Sequence, residues 1–209
     1  ISYTTSGFGT RWDNVGAMRN RGVEINVSAD VLRIKDFTWN VNANVSYNKN
    51  EITELYNGIT EYVASDTGRM VAVGHPLGEF YLNRYAGVNP TNGDALWYTK
   101  DGEITTEYNE SDKVMLGKTH EAPWQGGFGT TLSWQGFSLS AQFTWVADRW
   151  MLNNDRVFQE SNGLFSAYNQ SKRMLYDRWK KPGDVTDIPR YGVTPQLDSR
   201  FLEDASFLR

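Results

Sequence analysis

The chain has no cysteine, two histidines and six prolines in 209 residues. Without cysteine there is no disulfide framework, no thiolate metal site and no cysteine nucleophile. No stretch approaches the ~18–20 consecutive apolar residues of a transmembrane helix, so crossing a membrane by helices is excluded. Positive charge is in deficit, with 25 acidic residues against 21 basic ones and a net charge of -4. A nucleic-acid partner needs a basic footprint, and this balance argues against one. There is no Ser-His-Asp order, phosphate loop or nucleotide fingerprint. What the chain does carry is 8 Trp, 11 Tyr and 19 Gly, a composition suited to a β protein with aromatic girdles and many turns.

The organising feature is a period of two. In residues 37–47, Phe37, Trp39, Val41, Ala43, Val45 and Tyr47 alternate with Thr38, Asn40, Asn42, Asn44 and Ser46. Side chains alternate sides along a strand, so the stretch builds one apolar face and one amide-lined face. The pattern returns with Val23, Ile25, Val27, Ala29 and Val31 against Glu24, Asn26, Ser28 and Asp30. It returns again with Phe137, Leu139, Ala141, Phe143 and Trp145 against Ser138, Ser140, Gln142 and Thr144. A soluble sheet normally mixes Lys and Glu into its polar face. Here that face is mostly Asn, Ser, Thr and Gln, as in the wall of a wet lumen. From Phe37 to Tyr47 the strand covers roughly 34 Å. At a ~45° tilt that is about 24 Å along the normal, close to the apolar band of a membrane barrel.

The fold expected is therefore all-β: a section of an antiparallel transmembrane β-barrel with long extracellular loops. Residues 14–34 and 37–55 read as a hairpin closed by Lys35 and Asp36. Residues 124–134 and 137–150 read as a second hairpin, closed by Gln135 and Gly136. Short turns belong to the periplasmic end of such barrels and long loops to the outside. Parity then requires residues 56–123 to hold no membrane strand or an even number. The best candidate, residues 79–88, places Arg84 in register with Phe80, Leu82 and Ala86. A charge on the lipid face costs about 2–4 kcal/mol near the midplane. The segment is accordingly read as an outside loop, with a small hairpin of its own around residues 89–94. Residues 151–200 read as the second outside loop, with helical spacing at 171–181. Residues 201–209 read as a further strand, giving about five. Trp39, Trp134 and Phe137 fall near the short turns, and Tyr47, Trp124, Trp145 and Trp150 toward the loops, forming two aromatic belts. Residues 1–13 read as the tail of an earlier loop, and the whole as an internal piece of a longer polypeptide.

Several motifs resemble one family, the SusC/RagA-like TonB-linked outer-membrane transporters. Asn14-Val-Gly-Ala-Met-Arg-Asn-Arg-Gly-Val-Glu24 is similar to its strand-opening motif. Ala86-Gly-Val-Asn-Pro-Thr-Asn-Gly-Asp94 resembles its Gly-Val-Asp-Pro-x-x-Gly turn, with Asn89 where Asp is common. Gly117 with Pro123-Trp-Gln-Gly-Gly-Phe-Gly129 resembles a later strand opening. Trp179-Lys-Lys-Pro-Gly-Asp184 with Ile188-Pro-Arg190 is similar to a late external loop, and Leu202-Glu-Asp-Ala-Ser-Phe-Leu-Arg209 to the strand after it. The resemblance implies a large plugged barrel in the outer membrane of a Gram-negative type of cell, contacting outer-membrane lipid. It implies import of oligosaccharides or peptides beneath a SusD-like surface lipoprotein, with energy delivered through TonB. On this reading residues 1–209 are one partial receptor barrel domain, without plug, signal peptide, TonB box or final strand. The open sheet is then expected not to insert alone, because hydrocarbon cannot satisfy its edges.

No enzyme chemistry, cofactor or metal site is assigned. His75 and His120 lie in loop-rich sequence and read as separate surface histidines. Asp184 with Asp187, and Glu203 with Asp204, sit in turn-rich stretches rather than across a cleft as a glycosidase pair would. The oxygen-bearing run 89–94 lacks the bidentate Glu of a Ca²⁺ loop and reads as an Asn-Gly turn. The contact patch for substrate or partner is placed at Arg149, Trp150, Asn153, Asn154, Asp155 and Arg156. There an aromatic face and oriented hydrogen-bonding groups fall together, although packing of the loop on its neighbours is the stronger reading. Glu24 and Asp30 are assigned to the lumen wall. Two other readings stay open: a soluble all-β glycan-binding module, which must bury its apolar faces against one another, and a passive porin.

Overall fold

The structure is a computed structural model that describes residues 16–64, 68–165 and 167–209. It begins with the strands β1 (Gly16–Ile34) and β2 (Phe37–Leu55). Short strands follow: β3 (Glu61–Val63), β4 (Met70–Ala72), β5 (Glu79–Leu82), β6 (Arg84–Val88), β7 (Ala95–Tyr98), β8 (Ile104–Thr105) and β9 (Val114–Thr119). Then come β10 (Trp124–Trp134), β11 (Phe137–Ala147) and β12 (Trp150–Leu152), the helices α1 (Asn154–Gln159) and α2 (Lys172–Tyr176), and finally β13 (Leu202–Asp204) and β14 (Phe207–Leu208). One antiparallel sheet, in the order β1-β2-β10-β11-β14, forms the wall. β1 and β14 stand at its two edges and do not pair with each other, so the barrel is not closed by these residues.

The pairing of β2 with β10 answers the parity question. The two strands are hydrogen-bonded neighbours from Phe37–Trp134 to Tyr47–Trp124, although 68 residues of sequence separate them. Everything between them leaves the wall and folds into small sheets of its own, β3-β4, β5-β9 and β6-β7-β8. No strand of residues 56–123 enters the wall, among the described residues. The hairpin around 89–94 joins β6 to β7. Both short turns sit at the opposite end, where the Gln135 amide donates to the Asp36 carbonyl at 3.2 Å. Lys35, Gln135 and Gly136 take positive φ there (44°, 46° and 88°), as tight hairpin turns matched to strand twist require.

Register carries the two faces across the whole wall. Val41 stands between Ala29 and Thr130, Ala43 between Val27 and Phe128, and Trp39 between Leu32 and Leu132. Phe128 stacks on Phe143 at 4.9 Å, Tyr47 meets Trp124 at 4.5 Å, and the Trp39 indole donates to Thr130 Oγ1 at 2.9 Å. These side chains pack on one another along the surface, yet nothing covers them among the described residues. Every residue of β1 is exposed, and Phe137 keeps 77% of its surface. A soluble sandwich would bury this face; here it is bare among the described residues, as the outer face of a membrane barrel requires. The buried clusters lie elsewhere, in the loop region: Ile52, Leu55 and Val71, and separately Phe80, Leu82 and Leu202 with Trp150 and Leu152 packed against them.

Four details differ from the sequence reading. The alternation of β1 breaks at Val31, an extra residue between the pairs Asp30–Asn40 and Leu32–Trp39, so Leu32 and Ile34 take over the apolar face. The strand expected at 137–150 stops at Ala147, because Asp148 turns left-handed (φ 59°) and Trp150–Leu152 pairs with β13 instead. The strand expected at 201–209 is correspondingly split, with Leu202–Asp204 holding β12 and only Phe207–Leu208 joining the wall. Helical spacing at 171–181 yields the single short helix α2, and α1 forms within residues expected to be loop. Asn14 and Val15 of the first motif, and residues 1–13, lie outside the described residues.

Candidate functional site

Two surfaces qualify: the amide-lined inner wall and the loop assembly above it. On the wall, Asn40 donates to Asp30 Oδ1 (3.1 Å), Thr131 pairs with Ser140 (3.1 Å), and Asn48 and Asn50 both donate to Asn20 Oδ1. Near the loop end, Glu24, Asn26, Asn44, Ser46, Gln125 and Thr144, together with Val45, Gly126, Trp145 and Val146, line a hollow of about 320 Å³. Gly127 faces Asn44 and Thr144 across the register. Neutral amides and hydroxyls offer donors and acceptors without the desolvation cost of charges. Such a wall suits a polar, hydrogen-bonding cargo.

The loops form a single interlocked body, and two of the family-like motifs do the locking. The 86–94 turn is closed by its own side chains: Asn89 Oδ1 accepts from the Thr91 amide, and Asn92 Oδ1 from the Asp94 amide. Trp179 of the second motif lies against Gly93, where a Cβ would come within 2.4 Å of the ring, and its indole donates to the Pro90 carbonyl. Arg190 completes the joint by donating to Asp94 at 2.9 Å. Gly93 sits at φ +79°, so both its backbone and its missing side chain are used. The oxygens of residues 89–94 are thus spent on the turn and its partner loop.

Beneath this corner lies a charge network. Glu160 is buried and accepts from Arg156 (3.2 and 3.3 Å) and Arg173 (2.6 Å). Arg156 also donates to Glu203 at 2.6 Å, and Arg173 makes a fork to Asp187 with both bonds at 2.8 Å. Arg156 and Asn153 hydrogen bonds hold the Glu203 carboxyl below its ordinary 4.5. Burial opposes ionisation of Asp187, but Arg173 outweighs it and keeps the carboxyl below 3.8. Asp198 runs the other way. Its burial pushes the carboxyl up despite bonds from the Trp97 indole and the Arg200 amide.

The six candidate contact residues meet this framework unequally. Trp150 packs on the Phe80–Leu82–Leu202 cluster, its indole donates to Asp148, and Lys118 Nζ covers its ring at 3.4 Å. Asn153 caps α1 by accepting from the Arg156 amide and donates to Glu203. Arg149 is half-buried, and its carbonyl accepts from the Ala205 amide. Asn154 and Asp155 are exposed on α1. Arg156 is committed to the network. The network itself was only partly readable: Glu160 follows Arg156 by four residues on one helix face, whereas Asp187 and Glu203 come from remote sequence that carries no local signal. The two histidines also find partners. His75 Nδ1 lies 2.9 Å from Glu79, whose other oxygen accepts from the Gly117 amide, and His120 rests beside Gly78. Asp184 accepts from the Lys180 and Lys181 amides and closes a turn.

Comparison with known proteins gives a consistent answer, although no family model matches the chain. It is 24% identical to TonB-dependent receptor P3 of Formosa agariphila over 98% of its length and 22% of the relative's. It is also 24% identical to TonB-dependent receptor SusC of Bacteroides thetaiotaomicron, over 94% of the chain and 20% of that protein. A solved structure of the RagAB peptide transporter superposes over the whole chain with a TM-score of 0.89 and 35% identity, covering 24% of the matched chain. The chain therefore spans about a fifth of the length of its curated relatives. These proteins are receptors and transporters, not enzymes. In fold and in sequence, the chain is similar to a section of the β-barrel of SusC/RagA-like TonB-dependent receptors.

Proposed function

We propose that this chain is part of an outer-membrane active transporter that imports oligosaccharides or peptides beneath a SusD-like surface lipoprotein, with energy supplied through TonB. The observation that carries the reading is the register-matched pair of faces: apolar residues aligned over four strands outside, amides and hydroxyls aligned inside. Residues 1–209 are one partial barrel domain, supplying wall and two outer loops. Among the two cargo classes, likeness to a peptide transporter favours peptides, and a wall of neutral amides fits their backbone groups. Within the loop patch, Asn154 and Asp155 have the side chains free to meet cargo or lid. Arg149, Trp150, Asn153 and Arg156 shape the surface that presents them.

The test uses the full-length protein with its neighbouring lipoprotein, reconstituted or expressed in cells. Uptake of labelled oligopeptides that stops when the TonB-coupling segment is deleted supports the reading. Energy-independent leakage of both cargo classes would favour a porin instead.

A further inference from the structure

The outer face of the β1–β2 hairpin changes character abruptly above the aromatic belt. Going toward the loops, the rung Val23–Tyr47 is apolar, the next rung on the same face is Arg21–Lys49, and the one beyond is Arg19–Glu51. The last is an ordinary cross-strand ion pair at 3.2 Å. The middle one sets two cations directly opposite each other, an arrangement that destabilises a sheet. Both side chains are exposed, and neither has a hydrogen-bond or ion-pair partner among the described residues. Glu121 and Asp148 line the same 250 Å³ hollow as Lys49, but neither comes within ion-pair reach of it, and Asp148 is taken by the Trp150 indole.

Position gives this rung a meaning. It lies one rung beyond Tyr47, which meets Trp124 in the upper belt; that is about 7 Å along the strand and about 5 Å along the normal at a 45° tilt. This is headgroup depth, on the side that faces lipid. We infer that Arg21 and Lys49 clasp a phosphate of an anionic glycolipid in the outer leaflet, which supplies the countercharge that the described residues do not. The inference rests on the outer-membrane barrel reading above. Arginine offers a planar fork to phosphate and lysine a point charge, and the Arg19–Glu51 pair caps the site so that the next rung adds no net attraction.

The full-length protein in neutral detergent micelles doped with lipid A provides the test, with bound lipid quantified after gel filtration. The double variant Arg21→Gln/Lys49→Gln is expected to retain lipid A about thirtyfold less well, as two surface cations near an anionic lipid imply. Lys49→Glu serves as the second variant. It converts the rung into an ion pair, so it is expected to lose lipid A while resisting heat at least as well as wild type. Dephosphorylated lipid A is expected not to be retained, and inorganic phosphate is expected not to compete. Equal retention by folded variants, equal retention of the dephosphorylated lipid, or displacement by inorganic phosphate would each overturn the assignment. If the wild-type protein itself forms no heat-modifiable barrel, the underlying barrel reading fails instead, and it does so for every variant alike.

Discussion

Gly93 shows how much one position in an outer loop is asked to do. Its positive φ closes the 89–94 turn, and its bare Cα lets the Trp179 ring seat against it. Gly93→Ala must pay the left-handed penalty of about 1–2 kcal/mol and also displace the ring. The expected outcome is a loop that opens without loss of the barrel, seen as faster proteolysis near Lys180 and Lys181 with unchanged heat-modifiable mobility. Glu160 is the comparable residue in the charge network. Glu160→Ala removes three charged hydrogen bonds, yet Arg156 keeps Glu203 and Arg173 keeps Asp187. A loss of about 2 kcal/mol follows, the size of charged hydrogen bonds rather than of an orphaned buried ion.

The same network sets a pH dependence for the loop elements α1, α2 and β13. Asp187 and Glu203 have folded pKa values below their ordinary 3.8 and 4.5. Their contribution is therefore complete above about 4.5 and is lost as pH falls through the lower folded values. Asp198, raised by burial, opposes this, since protonating it relieves a cost. Wild-type loops should become sensitive to an acid-active protease as pH drops below 3.8. The Asp187→Asn/Glu203→Gln protein should be equally sensitive above and below that point; a wild-type transition that survives in this variant would remove these two groups as its cause. For the strands, the bulge at Val31 makes a sharper forecast. Deleting Val31 leaves Asp30–Asn40 and Leu32–Trp39 as consecutive pairs, so the barrel should still form. Deleting Val27 forces one half of β1 onto the wrong face, and heat-modifiable barrel should disappear.

For the whole molecule, what was legible followed from how local the cause was. Faces, hairpins and both short turns are written in adjacent residues, and residues 56–123 fall outside the wall because parity allows only an even number of strands there and Arg84 shares a face with Phe80, Leu82 and Ala86. The split of 201–209 between β13 and β14 was not legible, because Leu202 answers to Leu152 and Phe207 to Val146 across long loops. Val31 hid for the opposite reason: it continues the period of two in sequence and breaks it only against Asn40 and Trp39. The candidate patch at 149–156 gathers aromatic and polar groups within one short stretch. That most of those groups face inward depends on Lys118, Glu160 and Glu203, none of which periodicity brings near.

The two faces of the wall make a final comparison in the intact protein. Val41 lies midway along the apolar face, with Ala29 and Thr130 beside it, and Asn42 is its immediate neighbour on the inner face, beside Ser28 and Gly129. Local strand propensity, distance from the turns and pairing partners are nearly the same for both. The only large difference is the medium each side chain enters. An arginine at Val41 meets hydrocarbon and should cost about 2–4 kcal/mol, enough to reduce assembled barrel markedly. An arginine at Asn42 extends into a wetted lumen lined by amides and should leave assembly intact while changing cargo passage. Heat-modifiable mobility of Val41→Arg and Asn42→Arg in outer-membrane fractions separates the two. Equal loss in both would mean that the side chains of this hairpin do not sort between lipid and water, and the barrel assignment would fall with it.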